Sequence, residues 1–283
     1  MKLKVAKRIE EVREFILEKR NQGQRIGFVP TMGYLHQGHL SLLEEGIEDN
    51  DILVLSIFVN PTQFGEGEDY EDYPRDLDRD LELAKKVGVD LVFIPEVDQI
   101  YSKQSATTVR VEGLVDGLCG ASRPGHFDGV CTIVTKLFNI VNPHRAYFGQ
   151  KDAQQLAVIK RMVEDLNFDI QIVGMPIVRE EDGLALSSRN KYLSKEERKA
   201  ALVLSRSLEL AQDLIGDGQR RANIIKEEMR NMIEKEDLAE IDYIDIVNQL
   251  NLKKVSNLEG PTLIALAVYI GETRLIDNLI LEV

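Results

Sequence analysis

The alternation of short apolar runs with helical patterns constrains this chain more than any other feature. RIGFV (25–29), DILVLSIFV (51–59), DLVFIP (90–95), RAYF (145–148) and FDIQIV (168–173) have the length and composition of buried strands. Between them apolar residues recur at helical spacing: over 8–22; at Leu40, Leu43 and Ile47; and at Leu77, Leu81, Ala84 and Val87, ending at Gly88. GVCTIVTKLFNIV (129–141) and Leu156, Ile159, Val163 and Leu166 continue the series. TTVRV (107–111) alternates and is predicted to be a further strand, at an edge. Strands that alternate with helices at this spacing build βαβ units around a mostly parallel sheet.

The pattern changes near Pro176. Ser194 and Glu197 have the spacing of a capping box, which opens a helix of roughly 20 residues. A second charged helix follows Gly218, then strands near 239–247, 262–270 and 274–282. The expected fold is α/β: a Rossmann-like parallel sheet with helices on both faces (1–176), followed by a smaller α+β domain (177–283). The segment up to Ser194 is the expected hinge or loop.

Composition removes several classes of function. Lys plus Arg total 35 against 48 Asp plus Glu, a net charge of −13. A broad acidic surface repels nucleic acid, whose affinity rests on phosphate neutralisation, so no nucleic-acid partner is expected. ILVLSIFV (52–59) is the longest apolar run and is too short to span a bilayer. The start MKLKVAKRIE has no apolar signal region. A cytoplasmic chain with no membrane partner is expected. Cys119 and Cys131 lack ligand-spaced partners and are expected to be reduced thiols, with no metal site.

Five stretches carry candidate chemistry. VPTMGYLHQGHLSLL (29–43) places two of the four histidines, His36 and His39, three residues apart at a helix start. That spacing puts both on one face of the first turn, beside the amide groups and positive dipole end that suit phosphate. Gly33 and Gly38 allow close backbone approach. LALSSRNKYLS (184–194) offers Ser188 and Arg189 as phosphate contacts, although a solvated linker has the same composition. AYFGQKDAQQL (146–156) offers Lys151 as a phosphate contact and Asp152 as a helix cap, with Gln155 on the face of Lys151. FVNPTQFGEGEDY (58–70) places the neutral amides of Asn60 and Gln63 just beyond a buried strand, suited to a polar small molecule. The run Glu66–Asp80, with eight acids and two arginines, reads as a solvated loop and helix face. LCGASRPGHFDGV (118–130) is dense in turn residues, and Arg123 and His126 fit either a site or a structural turn.

Taken together, VPTMGYLHQGHLSL, FVNPTQFG, YPRDLDRD, CGASRPGHF, AYFGQKDAQQL and DGLALSSRNKYLS resemble, in order, the pantoate–β-alanine ligases (pantothenate synthetases). These belong to the HxGH nucleotidyltransferase superfamily, which also holds the class I aminoacyl-tRNA synthetases. The resemblance runs from about residue 28 to 194, and the remainder matches in length and pattern. It implies a two-step reaction: pantoate attacks the α-phosphorus of ATP, and β-alanine then takes the pantoyl group from the adenylate, releasing AMP. It implies that His39 is the catalytic proton donor, with His36 beside it, and that Lys151, Ser188 and Arg189 also act in catalysis. ATP would contact Met32, Gly33, Tyr34, Leu35, His36, Gln37, Gly38 and His39. Gly149, Gln150, Lys151, Asp152, Val178, Leu186, Ser187, Ser188 and Arg189 would complete its site. Gln63 and Gln155 would hold pantoate, Gln63 also lying by β-alanine, with Phe148 and Val134 against pantoate's methyl groups and Asn60 a lesser candidate. Magnesium would accompany the pyrophosphate, the C-terminal domain would act as a lid, and the chain would be a homodimer.

Three other readings share part of the pattern. An aminoacyl-tRNA synthetase needs a tRNA surface and an anticodon module, for which this acidic chain has no room. A nucleotidyltransferase would keep the nucleotide in its product. A regulatory module would bind ATP without consuming it.

Overall fold

The computed structural model describes residues 3–283. In chain order the strands are β1 (Lys4–Ala6), β2 (Ile26–Thr31), β3 (Ile52–Ile57), β4 (Leu91–Phe93), β5 (Arg145–Gly149), β6 (Gln171–Met175), β7 (Ala239–Asn248), β8 (Pro261–Ile270) and β9 (Thr273–Glu282). The helices are α1 (Ile9–Asn21), α2 (Gln37–Asp49), α3 (Leu77–Val87), α4 (Val97–Ile100), α5 (Leu118–Ser122), α6 (His126–Val141), α7 (Ala153–Asp165), α8 (Lys195–Ala200), α9 (Leu202–Gly216) and α10 (Ala222–Ile233). No described helix is long and apolar enough to cross a membrane.

The chain divides into two compact units. The first holds the chain up to Val111, Arg123–Gln150 and Val158–Pro176; the second holds Glu112–Ser122, Lys151–Ala157 and Ile177–Val283.

The first unit is built on a parallel sheet in the order β1-β4-β3-β2-β5-β6. Strand alternation sends Val29, Leu53 and Leu55 to one face, where they pack with Leu42 and Leu43 of α2 and Ala84 of α3. On the opposite face Phe28 and Phe148 each meet the Phe138 ring of α6 edge-on, at 6.4 Å. The chain winds from β2 through β3 to β4 on one side and returns to β5 and β6 on the other. The order therefore reverses between β2 and β5, where such sheets bind ligands at their carboxyl ends. Pairing between these strands stops after Gly27↔Arg145 and Phe28↔Ala146, whereas β2 pairs with β3 as far as Thr31↔Ile57. The last residues of β2 and β5 are thus parted from one another.

α6 packs on the turn Pro61–Gln63 at a glycine. A Cβ built on Gly129 would lie inside contact distance of the Thr62 carbonyl oxygen and 2.7 Å from the Gln63 Cα. The Gly129 carbonyl accepts from the Asn60 amide at 3.2 Å.

In the second unit β7, β8 and β9 form an antiparallel sheet. One face packs on α9 and α10 through Ile244, Ile264, Leu266, Leu208 and Met229. The other carries Val247, Leu263 and Ala265, covered by Leu118 of α5 and Ala153 of α7. The Ser194–Glu197 capping box forms: Ser194 Oγ accepts from the Glu197 amide and the carboxylate accepts from the Ser194 amide. The helix it opens is interrupted in its hydrogen bonding at Ala201, whose backbone stays helical (φ −57°, ψ −22°).

One predicted strand is absent. Residues 107–111 have no regular secondary structure and pair with no strand; the Val109 amide donates instead to Thr132 Oγ1 of α6 at 2.9 Å. Strand β6 begins at Gln171 rather than 168, and Phe168 packs edge-on against Phe138 at 5.8 Å. The short β1, α4 and α5 had no sequence signal.

The Gly129 packing gives a stability prediction. Gly129→Ala is expected to lower unfolding free energy by about 1–3 kcal/mol, the usual cost of overpacking. Urea denaturation of the variant against the parent measures it.

Candidate active site

The turn after β2 holds its shape through a left-handed pair, Gly33 (φ +84°) and Tyr34 (φ +52°). Position 33 also has no room for a side chain: a Cβ would stand 2.9 Å from Ile57 Cγ2 and 3.0 Å from Asp80 Oδ2. Thr31 Oγ1 accepts from the Gly33 amide and donates to the Ser56 carbonyl. Asp80 of α3 then accepts from two successive amides, those of Tyr34 and Leu35, each at 2.7 Å. This carboxylate is 1% exposed. Burial raises its pKa above the ordinary value, and the Leu35 and Tyr34 amides offset part of that rise. With its side chain in the core and its amide on Asp80, Leu35 has only its carbonyl to present to a ligand.

α2 begins directly after this turn, with His36 as its N-cap. His36 Nδ1 accepts from the Gly38 amide at 3.2 Å, and His39 Nδ1 accepts from the His36 amide at 3.3 Å. The two rings lie 4.0 Å apart, centroid to centroid. A neutral imidazole that accepts at Nδ1 carries its proton at Nε2, so both rings are set as Nε2–H donors. Gln37 is exposed at the helix start, and Gly149, at the end of β5, has open space where a side chain would stand.

Gln63, 9% exposed, sits in the turn after β3. Its side-chain amide donates to Met32 Sδ at 3.1 Å, joining it to the β2 turn. Its carbonyl is held by His126 Nδ1 at 2.8 Å and by Arg123 Nη2 at 3.3 Å. Arg123 also forms an ion pair with Glu68. Burial raises the Glu68 pKa, but the Arg123 hydrogen bond and charge outweigh it, and the net shift is downward. Asn60 is fully occupied: its amide donates to Gln63 Oε1 and the Gly129 carbonyl, and its oxygen accepts from Tyr101 and Thr62. It supports Gln63 and has no hydrogen-bonding capacity left for a substrate. The acidic run 66–80 is accordingly not one solvated face, because Glu68 and Asp80 are both structural.

Of the remaining predicted residues, Val134, Phe148 and Gln150 lie in the first unit and the others in the second. Lys151 is half-buried, and no carboxylate among the described residues forms an ion pair with its ammonium. Burial lowers its pKa, Asp152 and Asp277 oppose the shift, and Arg189 and Arg179 add to it. Residues 178–186 form a hairpin in which Leu186 donates to the Val178 carbonyl at 3.0 Å and Arg179 bridges Ala185. Ser187 caps the single turn Ser188–Tyr192 by accepting from the Arg189 amide. Lys151, Ser187, Asn190 and Asp277 line a small cleft with Leu184, Leu204 and Leu275, with about 10 Å³ of free space. Asn190 donates to Glu180 and the Ala185 carbonyl, while its buried Oδ1 has no partner. A half-buried cation and an unsatisfied oxygen thus line one cleft, whose free space is about that of a single water.

The profile of the family described as Pantoate-beta-alanine ligase matches residues 4–280. The chain belongs to the pantoate–β-alanine ligase family. It is 58% identical over 279 residues to the pantothenate synthetase of Caldicellulosiruptor saccharolyticus, covering 99% of both chains. It is 57% identical over 281 residues to that of Acetivibrio thermocellus, covering 99% of this chain and all of the relative. The solved pantothenate synthetase of Thermus thermophilus superposes with a TM-score of 0.93 at 46% identity, covering 98% of each chain. The Francisella tularensis ligase, solved with β,γ-ATP and β-alanine, gives 0.81 at 34% identity, covering 98% of this chain and 97% of that one. The chain is an amide-forming ligase that condenses pantoate with β-alanine in an ATP-dependent reaction.

The residues sequence reasoning missed in this ligase are those behind the site. Asp80, Glu68 and Gln154 were not singled out. Gln154, beside the predicted Gln155, is buried and binds the Leu114 and Gly117 carbonyls and the Gly120 amide. The usable signal for Asp80 was its place in helix α3, one residue from the apolar Leu81 that faces the core.

Asp80→Asn keeps the volume but replaces one charged acceptor with an amide donor. Hydrogen bonds to charged groups contribute about 1.5–3 kcal/mol, so a folded variant with at least about tenfold slower pantoate-dependent ATP–pyrophosphate exchange is expected. Circular dichroism and the exchange rate check this; a parental rate would show that the turn holds without the charge.

Proposed function

We propose that this ligase works through a pantoyl adenylate. A carboxylate oxygen of pantoate attacks the α-phosphorus of ATP, and the bond to the bridging oxygen breaks to release pyrophosphate. The amine of β-alanine then attacks the acyl carbon, loses its proton and expels AMP. The observation that carries this reading is the His36–His39 pair. Two Nε2–H donors fixed at a helix N-terminus suit charge that builds on a departing pyrophosphate. His39 is assigned as the proton donor, with His36 beside it.

Met32 through His39, Gly149, Gln150, Lys151, Asp152, Val178 and Leu186 through Arg189 are assigned to ATP. Lys151, Ser188 and Arg189 are the groups that grip its phosphates, supported by the unpaired ammonium and the capped turn. Magnesium arrives with ATP, bound to phosphate oxygens, as part of the substrate. Gln63 and Gln155 are assigned to pantoate and Gln63 also to β-alanine, with Phe148 and Val134 against pantoate's methyl groups. The domain after Pro176, carrying the Ser-Ser-Arg segment, is assigned as a lid that excludes water from the adenylate. The chain is assigned to the cytoplasm as a homodimer. No observation favours a second chemistry.

Incubation with ATP, magnesium and pantoate, with and without β-alanine, tests the route. AMP that accumulates with β-alanine, matched by pantothenate, is expected; ADP would mean attack at the γ-phosphorus. His39→Ala is expected to slow adenylation about 100- to 1000-fold, as loss of a preorganised donor does, with the fold intact. Lys151 sets an alkaline limit. Its cationic form binds phosphate and its pKa is lowered, so affinity for ATP is lost as pH rises through a value below the ordinary lysine value of about 10.4. The KM for ATP measured against pH should rise there, and Lys151→Arg should remove the rise.

A further inference from the structure

β9 buries two adjacent polar residues, Asp277 at 3% and Asn278 at 4% exposure. Neighbours on a strand face opposite ways, so each must be satisfied from a different side. The packing confirms the split. Leu275 and Leu279 join the cluster against α9 and α10, whereas Ile280 joins the one containing Ala153 and Leu118.

On the first face Asp277 forms a two-pronged ion pair with Arg179, Nη1 to Oδ2 at 2.6 Å and Nη2 to Oδ1 at 2.9 Å. Arg179 Nη1 also donates to the Gly183 carbonyl at 3.0 Å, so the pair clamps the 178–186 hairpin. The segment Ser187–Arg189 continues directly from that hairpin. On the second face Asn278 Nδ2 donates to the Lys151 carbonyl at 2.9 Å. The Asn278 amide completes the Asp277 Oδ1 shell at 2.8 Å, which couples the two residues. One dipeptide thus anchors the backbone of Lys151 and the base of the Ser-Ser-Arg segment.

We propose that Asp277 and Asn278 are positioning residues for adenylation, fixing the Lys151 ammonium against Ser188 and Arg189 so that the phosphates meet a preset group of cations. This rests on the assignment of Lys151, Ser188 and Arg189 to ATP phosphates. Asn278 acts through the Lys151 backbone it holds, and Asp277 through the Arg179 clamp and through its charge in the cleft it shares with Lys151. β9 is rigid, paired with β8 from Pro261↔Glu282 to Ile270↔Thr273, which suits a strand that carries such anchors.

The test compares three variants with the parent. Asn278→Asp sets an oxygen against the Lys151 carbonyl without changing size. Asp277→Asn breaks the fork with Arg179. Lys226→Met removes the Lys226–Asp245 ion pair of the same sheet (2.8 Å) and serves as a purely structural control. The KM for ATP is expected to rise about tenfold or more in the two β9 variants, pyrophosphate exchange to fall similarly, and the KM for β-alanine to stay within about twofold. The control should lose thermal stability with both KM values unchanged. Should Asp277→Asn fail to fold, Asn278→Asp alone decides. Parental KM for ATP in the folded β9 variants, or equal rises in both KM values, would overturn the proposal. Lys151→Ala run alongside separates the premise: a parental KM for ATP there would overturn the phosphate assignment and the proposal with it, whereas a raised KM leaves the β9 variants to decide.

Discussion

The two hydrogen bonds from Tyr34 and Leu35 to Asp80 are the constraint on which the first unit's chemistry depends. A left-handed Tyr34 costs about 1–2 kcal/mol relative to ordinary backbone, so the turn needs something to hold it. Consecutive amides that converge on one point need an acceptor with two oxygens. Asp80 supplies it from α3, a helix already packed on the sheet. Only with this turn fixed does α2 start at His36, and only that start puts the two imidazoles 4.0 Å apart with backbone donors on both Nδ1 atoms. Burial of Asp80 disfavours its charged form and raises its pKa, more than the two amides lower it. Above that folded pKa the unfavourable contribution is fully present, and it is relieved as pH falls through it. What the carboxylate contributes in return is the geometry of the turn, through its two backbone amides.

Gln63 is fixed by different means. Its main chain is held by Arg123 and His126, its side chain is met by Asn60, and its approach to α6 is set by the absence of a side chain at Gly129. None of these residues needs to touch substrate for the amide to be placed. The support comes from segments far apart in sequence, 60–68, Tyr101 and 123–129, so the position of one glutamine integrates much of the first unit's tertiary structure.

That distinction explains what was legible in the sequence. The strands β2, β3 and β5 and helices α2, α3 and α6 announce themselves because burial imposes periodicity on local sequence. The histidine turn announces itself because its glycines and helix cap are local too. TTVRV carries the same alternation yet forms no strand: Val111 is buried, but periodicity reports which side chains face protein, not which backbone supplies the hydrogen bonds. The supporting acids were illegible for the converse reason. Asp80 and Glu68 sit among six other acids, and only tertiary contacts with residues 34–35 and 123 distinguish them from solvated neighbours. Asp277 and Asn278 lie in a strand whose apolar pattern was read correctly, and nothing local marks their partners 98 and 127 residues away.

The net charge of −13 poses a physical difficulty for a ligase that must hold a polyphosphate. Two of its acids lie beside residues assigned to that polyphosphate, Asp80 in the first unit and Asp277 in the second. Each is buried, and each has its oxygens taken by fixed donors: successive backbone amides for Asp80, and a guanidinium with a backbone amide for Asp277. A carboxylate so engaged presents little field to a passing anion, because the donors' dipoles and the Arg179 charge lie directly against it. Lys151 is treated in the opposite way. It forms no ion pair among the described residues, and burial disfavours its charge although Asp152 and Asp277 oppose the shift. The fold therefore engages both of these anions with fixed donors and leaves Lys151 without an ion pair among the described residues. Local pairing, rather than total charge, decides whether an acidic protein attracts ATP.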